Sequence, residues 1–225
     1  MRAVEQKQIS SGFMRRMGGF IILLVAIQAT RGLLIWGMWM VLHPNSDSTV
    51  WSYMDIAAFG LMGTVLLLFF RPSLDKLGLE WKTTSRRERI IYIGSGLMTL
   101  GLVATIYFID PNLLMVNINT VIIIPVFEEL LFRGWGWTQI DKTGSAGFVN
   151  WLVISLLFGI WHFGYMDIYL LKVAPVWPGM DWGTFLLMKF ITTFIIGLIV
   201  GLPRWRTRRV HGSLILHSMI NLVGR

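Results

Sequence analysis

The chain alternates between long apolar runs and short polar or basic segments. Apolar runs cover residues 18–42, 54–70, 90–109, a stretch that begins at Leu113, 148–165, 183–202 and 210–223. A helix rises 1.5 Å per residue, so about 20 apolar residues cross the hydrocarbon core of a bilayer. The last run, of about 14 residues, is short for a complete crossing. The pattern predicts an all-α, polytopic transmembrane helical bundle of about seven spans.

Turn-forming residues separate several of these runs. Residues 110–112, Asp-Pro-Asn, predict a tight turn, because proline cannot continue a helix. The polar segment 43–53 and the segment 166–182, which contains two prolines, are predicted to be outer loops. Segment 71–89 mixes basic residues with leucines, which indicates a piece of chain on the inner surface of the bilayer. Pro125 removes one backbone hydrogen bond from the fourth run, so we expect a kink there.

The overall composition supports a membrane location. The 225 residues are 55% hydrophobic and only 14% charged, whereas soluble domains are usually about 25% charged. The net charge of +8 could suggest nucleic acid, but the basic residues gather in short clusters between apolar runs, as in cytoplasmic loops. We therefore expect no nucleic-acid partner. Because there is no cysteine, disulfides, thiolate metal sites and cysteine nucleophiles are excluded.

The distribution of lysine and arginine predicts the orientation. Residues 1–17 contain four of them, 71–89 six and 203–209 four, against none in 43–53 and one in 166–182. Cytoplasmic loops carry the excess of positive charge, so we expect a multi-pass protein with a cytoplasmic N-terminus. No repeat or soluble second domain interrupts the pattern, which favours a single integral membrane domain over residues 1–225.

Two adjacent carboxylates and an arginine lie inside the fourth apolar run. An ionisable group within a span costs at least ~2.5–3.5 kcal/mol and is by default a hypothesis about function. Glu129 and Arg133 are four apart, so they share a helical face and can pair, whereas Glu128 points about 100° away and stays free for chemistry. A purely structural ion pair is the alternative for Glu129 and Arg133. Arg31, in the first run, is expected to reach the headgroups or to pair with a neighbouring helix.

Two histidines and an asparagine lie inside later apolar runs. His217 and Asn221 are four apart and share a face, and His162 lies on a separate helix. Glu128, His162 and His217 lie at similar depths, roughly 12–16 Å from the predicted inner boundary at 1.5 Å per residue. Each alone could be a helix-packing hydrogen bond. Together they predict one site built from three helices.

These groups could hydrolyse a peptide bond in two ways. A glutamate whose basicity is set by burial and a neighbouring arginine can take a proton from water. An imidazole and the Asn221 amide could then donate to the oxyanion that forms on the peptide carbonyl. The alternative is zinc, because Glu128, His162 and His217 offer two imidazoles and a carboxylate with an open position.

At these residues the sequence resembles the CPBP family of intramembrane proteases, which includes the type II CAAX prenyl endopeptidases and the bacterial Abi proteins. The family pattern EExxxR, FxxxH, HxxxN appears in order as residues 128–133, 158–162 and 217–221. The resemblance covers about residues 85–223. It implies a catalytic core over 85–225, preceded by two spans and a basic loop in 1–84.

The resemblance also implies roles for the residues. Glu128 would activate water, His162 would position it, His217 with Asn221 would stabilise the oxyanion, and Glu129 with Arg133 would orient the site. No cofactor is required in this mechanism, although the family has also been described as metal-dependent. The compact chain resembles the bacterial members, so we expect the bacterial plasma membrane and a peptide or membrane-protein substrate.

Two further functions remain open from the sequence. The first is a non-catalytic bacteriocin immunity or scaffold protein that keeps the constellation for structure. The second is a small proton-coupled carrier in which Glu128 and His162 form a relay. No inverted repeat or matching pair of broken helices supports the carrier. The sequence does not define an oligomeric state.

Overall fold

The computed structural model describes residues 2–44, 48–81, 84–142 and 147–224, without the side chains of residues 2–11, 48 and 172. Parts of the predicted segments 43–53 and 71–89 lie outside the described residues. Helices account for most of the chain, and the described residues contain no strand, so the all-α prediction is confirmed. The seven main helices are α1 (Arg2–Leu42), α2 (Ser48–Phe70), α3 (Arg86–Ile109), α4 (Leu113–Asp141), α5 (Gly147–Trp161), α6 (Trp182–Thr207) and α7 (His211–Val223).

The number of spans agrees with the prediction. Among the described residues, six helices, α1 to α6, are long and apolar enough to cross a membrane. The last helix, α7, has 13 residues, so it is too short to cross a bilayer of about 30 Å alone. The prediction of about seven spans therefore corresponds to six candidate spans and one shorter helix.

Three predicted boundaries are wrong. Helix α2 begins at Ser48, so the predicted loop 43–53 is helical in its second half. The predicted loop 166–182 begins with two short helical turns, Met166–Ile168 and Tyr169–Val173. Helix α6 continues through Pro203 to Thr207, although the arginines there suggested a loop.

Buried arginine explains why α6 extends so far. Arg204 is only 5% exposed, and its guanidinium carbon lies 5.8 Å from the centre of the Trp137 ring. The same guanidinium donates to the backbone carbonyl of Arg208, where the helix ends in a left-handed residue. The basic character of this segment therefore does not exclude it from the helix.

Helix α4 changes its geometry twice. Residues Ile118–Ile123 and Leu130–Gly136 are π-helical, and an α-helical turn, Ile124–Glu129, separates them. Pro125 lies near the start of this α-helical turn. The helix continues through the proline, and the wider π-helical segment Ile118–Ile123 directly precedes the turn. Such π segments are frequent at functional sites. In this helix they flank the two adjacent glutamates.

Small residues let α5 and α6 approach each other closely. A side-chain carbon at Gly197 would lie 3.3 Å from the Ser155 carbonyl oxygen, and one at Gly201 would lie 2.8 Å from the Trp151 ring. Gly197 and Gly201 are four apart on α6, the spacing of small residues that permits close packing of membrane helices. Trp151 Nε1 also donates to the Leu198 carbonyl over 2.9 Å.

Segment 71–81 packs against the protein at one end of the bundle. Gly78 adopts a left-handed conformation with φ 71°, and its carbonyl accepts a hydrogen bond of 3.0 Å from the Val210 backbone N–H. Leu77 is buried, whereas Leu74 is exposed. The segment therefore joins the chain just before α7 to the rest of the bundle.

Candidate active site

Glu128 is completely buried at the centre of α4. Its Oε1 accepts two hydrogen bonds, from Trp161 Nε1 over 3.0 Å and from the Tyr165 hydroxyl over 2.9 Å. Its Oε2 has no hydrogen-bond partner among the described residues. One oxygen of this carboxylate is therefore held in place, and the other keeps its full capacity to accept a proton.

Both predicted histidines face Glu128. His162 Nε2 lies 4.0 Å from Glu128 Oε1, and His217 Nε2 lies 3.9 Å from Glu128 Oε2. These distances exceed a direct hydrogen bond, but a water molecule could bridge either gap. Side chains from α4, from the turn after α5 and from α7 thus converge on Glu128; the sequence pattern predicted His162 on a helix, but it lies in a 3₁₀ turn.

Hydrogen bonds at Nδ1 orient the two imidazoles. His162 Nδ1 lies 2.7 Å from the Phe158 carbonyl oxygen, and His217 Nδ1 lies 2.9 Å from Glu129 Oε1. A carbonyl and a carboxylate oxygen can only accept, so we assign a proton to Nδ1 of both rings. The Nε2 atom of each ring is then the one directed at Glu128.

Glu129 and Arg133 form a buried ion pair beside Glu128. Arg133 Nη1 donates to Glu129 Oε1 over 2.9 Å, and Arg133 Nη2 donates to the Gly197 carbonyl of α6 over 2.9 Å. The guanidinium also lies 4.4 Å from the centre of the Phe158 ring. The pair therefore links α4 to α6 and α5, and through Glu129 it links α4 to His217.

Asn221 lies one turn after His217 on α7 and is half-buried. Its Nδ2 donates to the Thr120 carbonyl of α4 over 2.8 Å. This bond joins α7 to the first π segment of α4, and it uses one of the two N–H groups of the amide. Asn221 thus contacts the same helix as Glu128, about two turns away along that helix.

Sequence reasoning missed Trp161 and Tyr165. Both are buried, and both donate to Glu128. Their position in the sequence could have indicated them. Trp161 directly precedes His162, and Tyr165 is four residues after Trp161, a spacing that places both side chains on the same face of a helix or tight turn. The stacking of Tyr165 on the His162 ring, with a centroid distance of 5.1 Å, fixes the rings relative to each other.

The site is closed in this conformation. Glu128 is 0% exposed, His217 4% and His162 7%. An apolar cavity of about 320 Å³ lies between α1, α2 and α4, with Phe127, Leu131 and Trp135 in its wall. None of the predicted catalytic side chains lines this cavity. A peptide can therefore reach Glu128 only after side chains or helices move.

The residues do not have the arrangement of a metal site. Two ligands of one zinc ion, each about 2.0–2.2 Å from it, lie roughly 3.3–3.6 Å apart in tetrahedral geometry. Both Nε2 atoms are farther than that from the nearest oxygen of Glu128. Among the described residues, no group of three or more His, Asp or Glu side chains could hold a metal ion.

Comparison with known proteins identifies the family. The sequence model described as Type II CAAX prenyl endopeptidase Rce1-like matches residues 110–223, slightly more than half of the chain. The matched region begins just before α4 and includes every residue of the site that the sequence predicted. No curated protein and no solved structure matches the chain significantly. The chain therefore belongs to the Rce1-like type II CAAX prenyl endopeptidase family, which consists of intramembrane proteases of the CPBP group.

Proposed function

We propose that this intramembrane protease hydrolyses its substrate with a water molecule that Glu128 activates. The observation that carries the proposal is the state of the Glu128 carboxylate. Two donors hold Oε1, while Oε2 is buried, has no hydrogen bond among the described residues and faces His217. Leaving a buried carboxylate oxygen without a partner costs about 1–3 kcal/mol or more, so such an oxygen is expected to serve a purpose.

His162 is the residue best placed to orient the water. Because its Nδ1 proton is engaged by the Phe158 carbonyl, its Nε2 carries a lone pair and can accept a hydrogen bond. A water molecule that donates to His162 Nε2 and to Glu128 directs an oxygen lone pair away from both. That lone pair attacks the peptide carbonyl, and Glu128 takes the proton.

The position of His217 supports a role in stabilising the oxyanion. Glu129 holds its Nδ1, and its Nε2 lies 3.9 Å from Glu128 Oε2, so this edge of the ring faces the proposed site of attack. An Nε2 that carries a proton can donate to the tetrahedral oxyanion. Such donors are worth more in a site without bulk water. The second N–H of Asn221, on the same face of α7, is a further candidate donor.

The last chemical step returns the proton. Glu128, protonated after the attack, donates to the nitrogen of the leaving amine as the carbon–nitrogen bond breaks. The carboxylate is then regenerated, and the oxygen of the water remains in the new carboxyl group. Glu129 and Arg133 take no part in the proton transfer, but they hold the His217 ring through its Nδ1.

The substrate of this protease is proposed to be a peptide or membrane protein whose cleavage site enters the bilayer. The basic ends of the helices are proposed to face the cytoplasm of a bacterial cell, with the N-terminus on that side, because loops with excess lysine and arginine stay inside. Residues 85–225 are proposed to supply the catalytic groups, since Glu128, His162 and His217 all lie there.

The experiment is cleavage by the purified protein in liposomes of phosphatidylethanolamine and phosphatidylglycerol. Three internally quenched peptides serve as probes: an S-farnesylated CAAX peptide, the same peptide without farnesyl, and an apolar peptide of transmembrane length. With enzyme in excess in ¹⁸O-water, the first turnover is expected to place one ¹⁸O in the new carboxyl terminus. Absence of ¹⁸O from that product would indicate a covalent glutamyl intermediate, and cleavage of none of the probes would contradict the proposal.

Two alternatives are separated by further measurements. In the zinc-dependent version, exhaustive chelation abolishes cleavage and zinc restores it, with metal content changing in parallel. In the non-catalytic immunity or scaffold version, cells that carry Glu128→Ala keep the protection that the wild-type protein gives against a bacteriocin. Our proposal expects cleavage to survive chelation and any biological effect to disappear with Glu128→Ala.

A further inference from the structure

A buried arginine of α1 contacts the turn that follows His162. Arg31 is 0% exposed and forms a two-pronged ion pair with Asp167, in which the Nη1 to Oδ2 distance is 3.1 Å. Its Nη2 also donates to the Gly164 carbonyl over 3.2 Å. Its guanidinium carbon lies 4.2 Å from the centre of the Tyr165 ring. One side chain therefore holds three residues of this turn.

Gln28, one turn earlier on α1, completes the contact. Arg31 Nε donates to Gln28 Oε1 over 2.8 Å, and Gln28 Nε2 donates to the Trp161 carbonyl over 2.8 Å. Gly164 allows this approach, because a side-chain carbon there would lie 2.6 Å from the Gln28 amide carbon. Gln28 and Arg31 thus fasten both ends of the segment from Trp161 to Asp167.

The fastened segment carries the groups that contact Glu128. Trp161 and Tyr165 are the two hydrogen-bond donors to Glu128. His162, which lies between them in the sequence, also faces Glu128. The segment leaves regular α-helix after Trp161 and turns through a short 3₁₀ helix. Such a short turn contains few backbone hydrogen bonds. Its conformation therefore depends on contacts with side chains from other helices.

From this geometry we propose that Gln28 and Arg31 of α1 are positioning residues for the active site. They hold the 161–167 turn so that Trp161 and Tyr165 fix Glu128 Oε1, with His162 beside it, and leave Oε2 directed at His217. The inference rests on the proposed role of Glu128. It also means that α1, which lies outside the region matched by the family, is part of the catalytic unit. The boundary at residue 85 therefore does not separate a scaffold from a self-sufficient core.

The test is a mutant cycle measured with the probe peptide that the wild-type enzyme cleaves fastest. Arg31→Gln is expected to lower kcat by about 10- to 100-fold with little change in KM, because a small displacement of a catalytic group has an effect of this size. In a background that already carries Trp161→Phe and Tyr165→Phe, the same substitution is expected to lower kcat by no more than about 3-fold. Arg15→Gln, which replaces an exposed arginine of the same helix, is the matched control.

The cycle separates positioning from a merely structural role. Equal losses of kcat from Arg31→Gln in both backgrounds, or a lower melting temperature with unchanged kcat, would overturn the inference. Gln28→Leu leaves the Arg31–Asp167 ion pair in place, so it serves if Arg31→Gln fails to fold. It is expected to lower kcat by at least about 3-fold, and no change would overturn the inference as well.

A parallel measurement distinguishes this inference from the proposed function. If Glu128→Gln keeps wild-type activity, the proposed function fails. If Glu128→Gln is inactive while Arg31→Gln and Gln28→Leu behave like Arg15→Gln, only the positioning role fails.

Discussion

His217 contacts Glu129 through Nδ1, over 2.9 Å, and directs its other ring nitrogen at Glu128. Of two adjacent glutamates, one therefore holds the imidazole and the other faces its reactive edge. The same oxygen of Glu129 accepts from Arg133, so its negative charge is shared between two donors. In the proposed mechanism, the adjacent pair of carboxylates therefore divides into an orienting residue, Glu129, and a reacting residue, Glu128.

This division predicts the effect of Glu129→Gln. A glutamine can still accept at Oε1, but it lacks the charge that strengthens both hydrogen bonds, each worth about 1.5–3 kcal/mol when a charged group takes part. We expect kcat to fall by about 10- to 100-fold with KM nearly unchanged. Steady-state kinetics in liposomes measures both parameters. Glu80→Gln, outside the site, is the control, and an unchanged kcat for Glu129→Gln would show that Glu129 does not orient His217.

The two aromatic donors to Glu128 lead to a second prediction. Tyr165→Phe removes one hydrogen bond to Oε1, so the carboxylate can rotate, and we expect kcat to fall by about 10-fold or more. Tyr169→Phe is a closely matched control, because the Tyr169 hydroxyl donates over 2.8 Å to the Met180 carbonyl, away from Glu128. Equal kcat values for the two variants would contradict a role for Tyr165 at the site.

Asn221 can be tested for catalysis apart from its packing role. Asn221→Ala removes the bond to the Thr120 carbonyl, at a cost of about 1 kcal/mol in stability, and also removes the candidate oxyanion donor. We expect kcat to fall by about 100- to 1,000-fold, the effect typical of a lost oxyanion donor. Asn150→Ala removes a buried amide that bonds Asp141 and serves as control. If both variants lose stability but keep kcat, Asn221 acts only in packing.

Orientation in the membrane can be measured directly, because the chain contains no cysteine. Single cysteines at Ser73 and Asn112, both exposed and at opposite ends of the bundle, report the two sides. In intact cells, a membrane-impermeant maleimide is expected to label Asn112→Cys at once and Ser73→Cys only after lysis. The opposite pattern would mean that the basic loops face outward. The cysteine-free parent gives the background.

The sequence predicted the fold where a single physical constraint dominates. Apolar runs long enough to cross a bilayer became helices, and the turn at 110–112 lies where proline interrupts the pattern. The predicted helix boundaries were wrong where a polar segment is kept helical by its tertiary contacts. The arginines after Pro203 suggested a loop, but burial of Arg204 beside Trp137 keeps that segment helical.

The candidate site residues that the sequence indicates are charged or polar side chains inside apolar spans. Glu128, Glu129 and Arg133 stand out because ionisable groups are rare inside spans, and the spacing of four places Glu129 against Arg133. Trp161 and Tyr165 could not be recognised in the same way, because aromatic residues are common in membrane helices and their hydrogen bonds depend on a turn. Gln28 and Arg31 contact the site from a helix more than one hundred residues away along the chain.

The central claim is that Glu128 activates the water. The most direct test is the single-turnover cleavage rate of Glu128→Gln in liposomes, compared with the wild-type enzyme at equal melting temperature. Glutamine keeps the shape and can still accept from Trp161 and Tyr165, but it cannot take a proton from water. We predict a rate at least about 100-fold lower, as for loss of a general base. A Glu128→Gln enzyme that cleaves within about 3-fold of the wild-type rate would contradict the account.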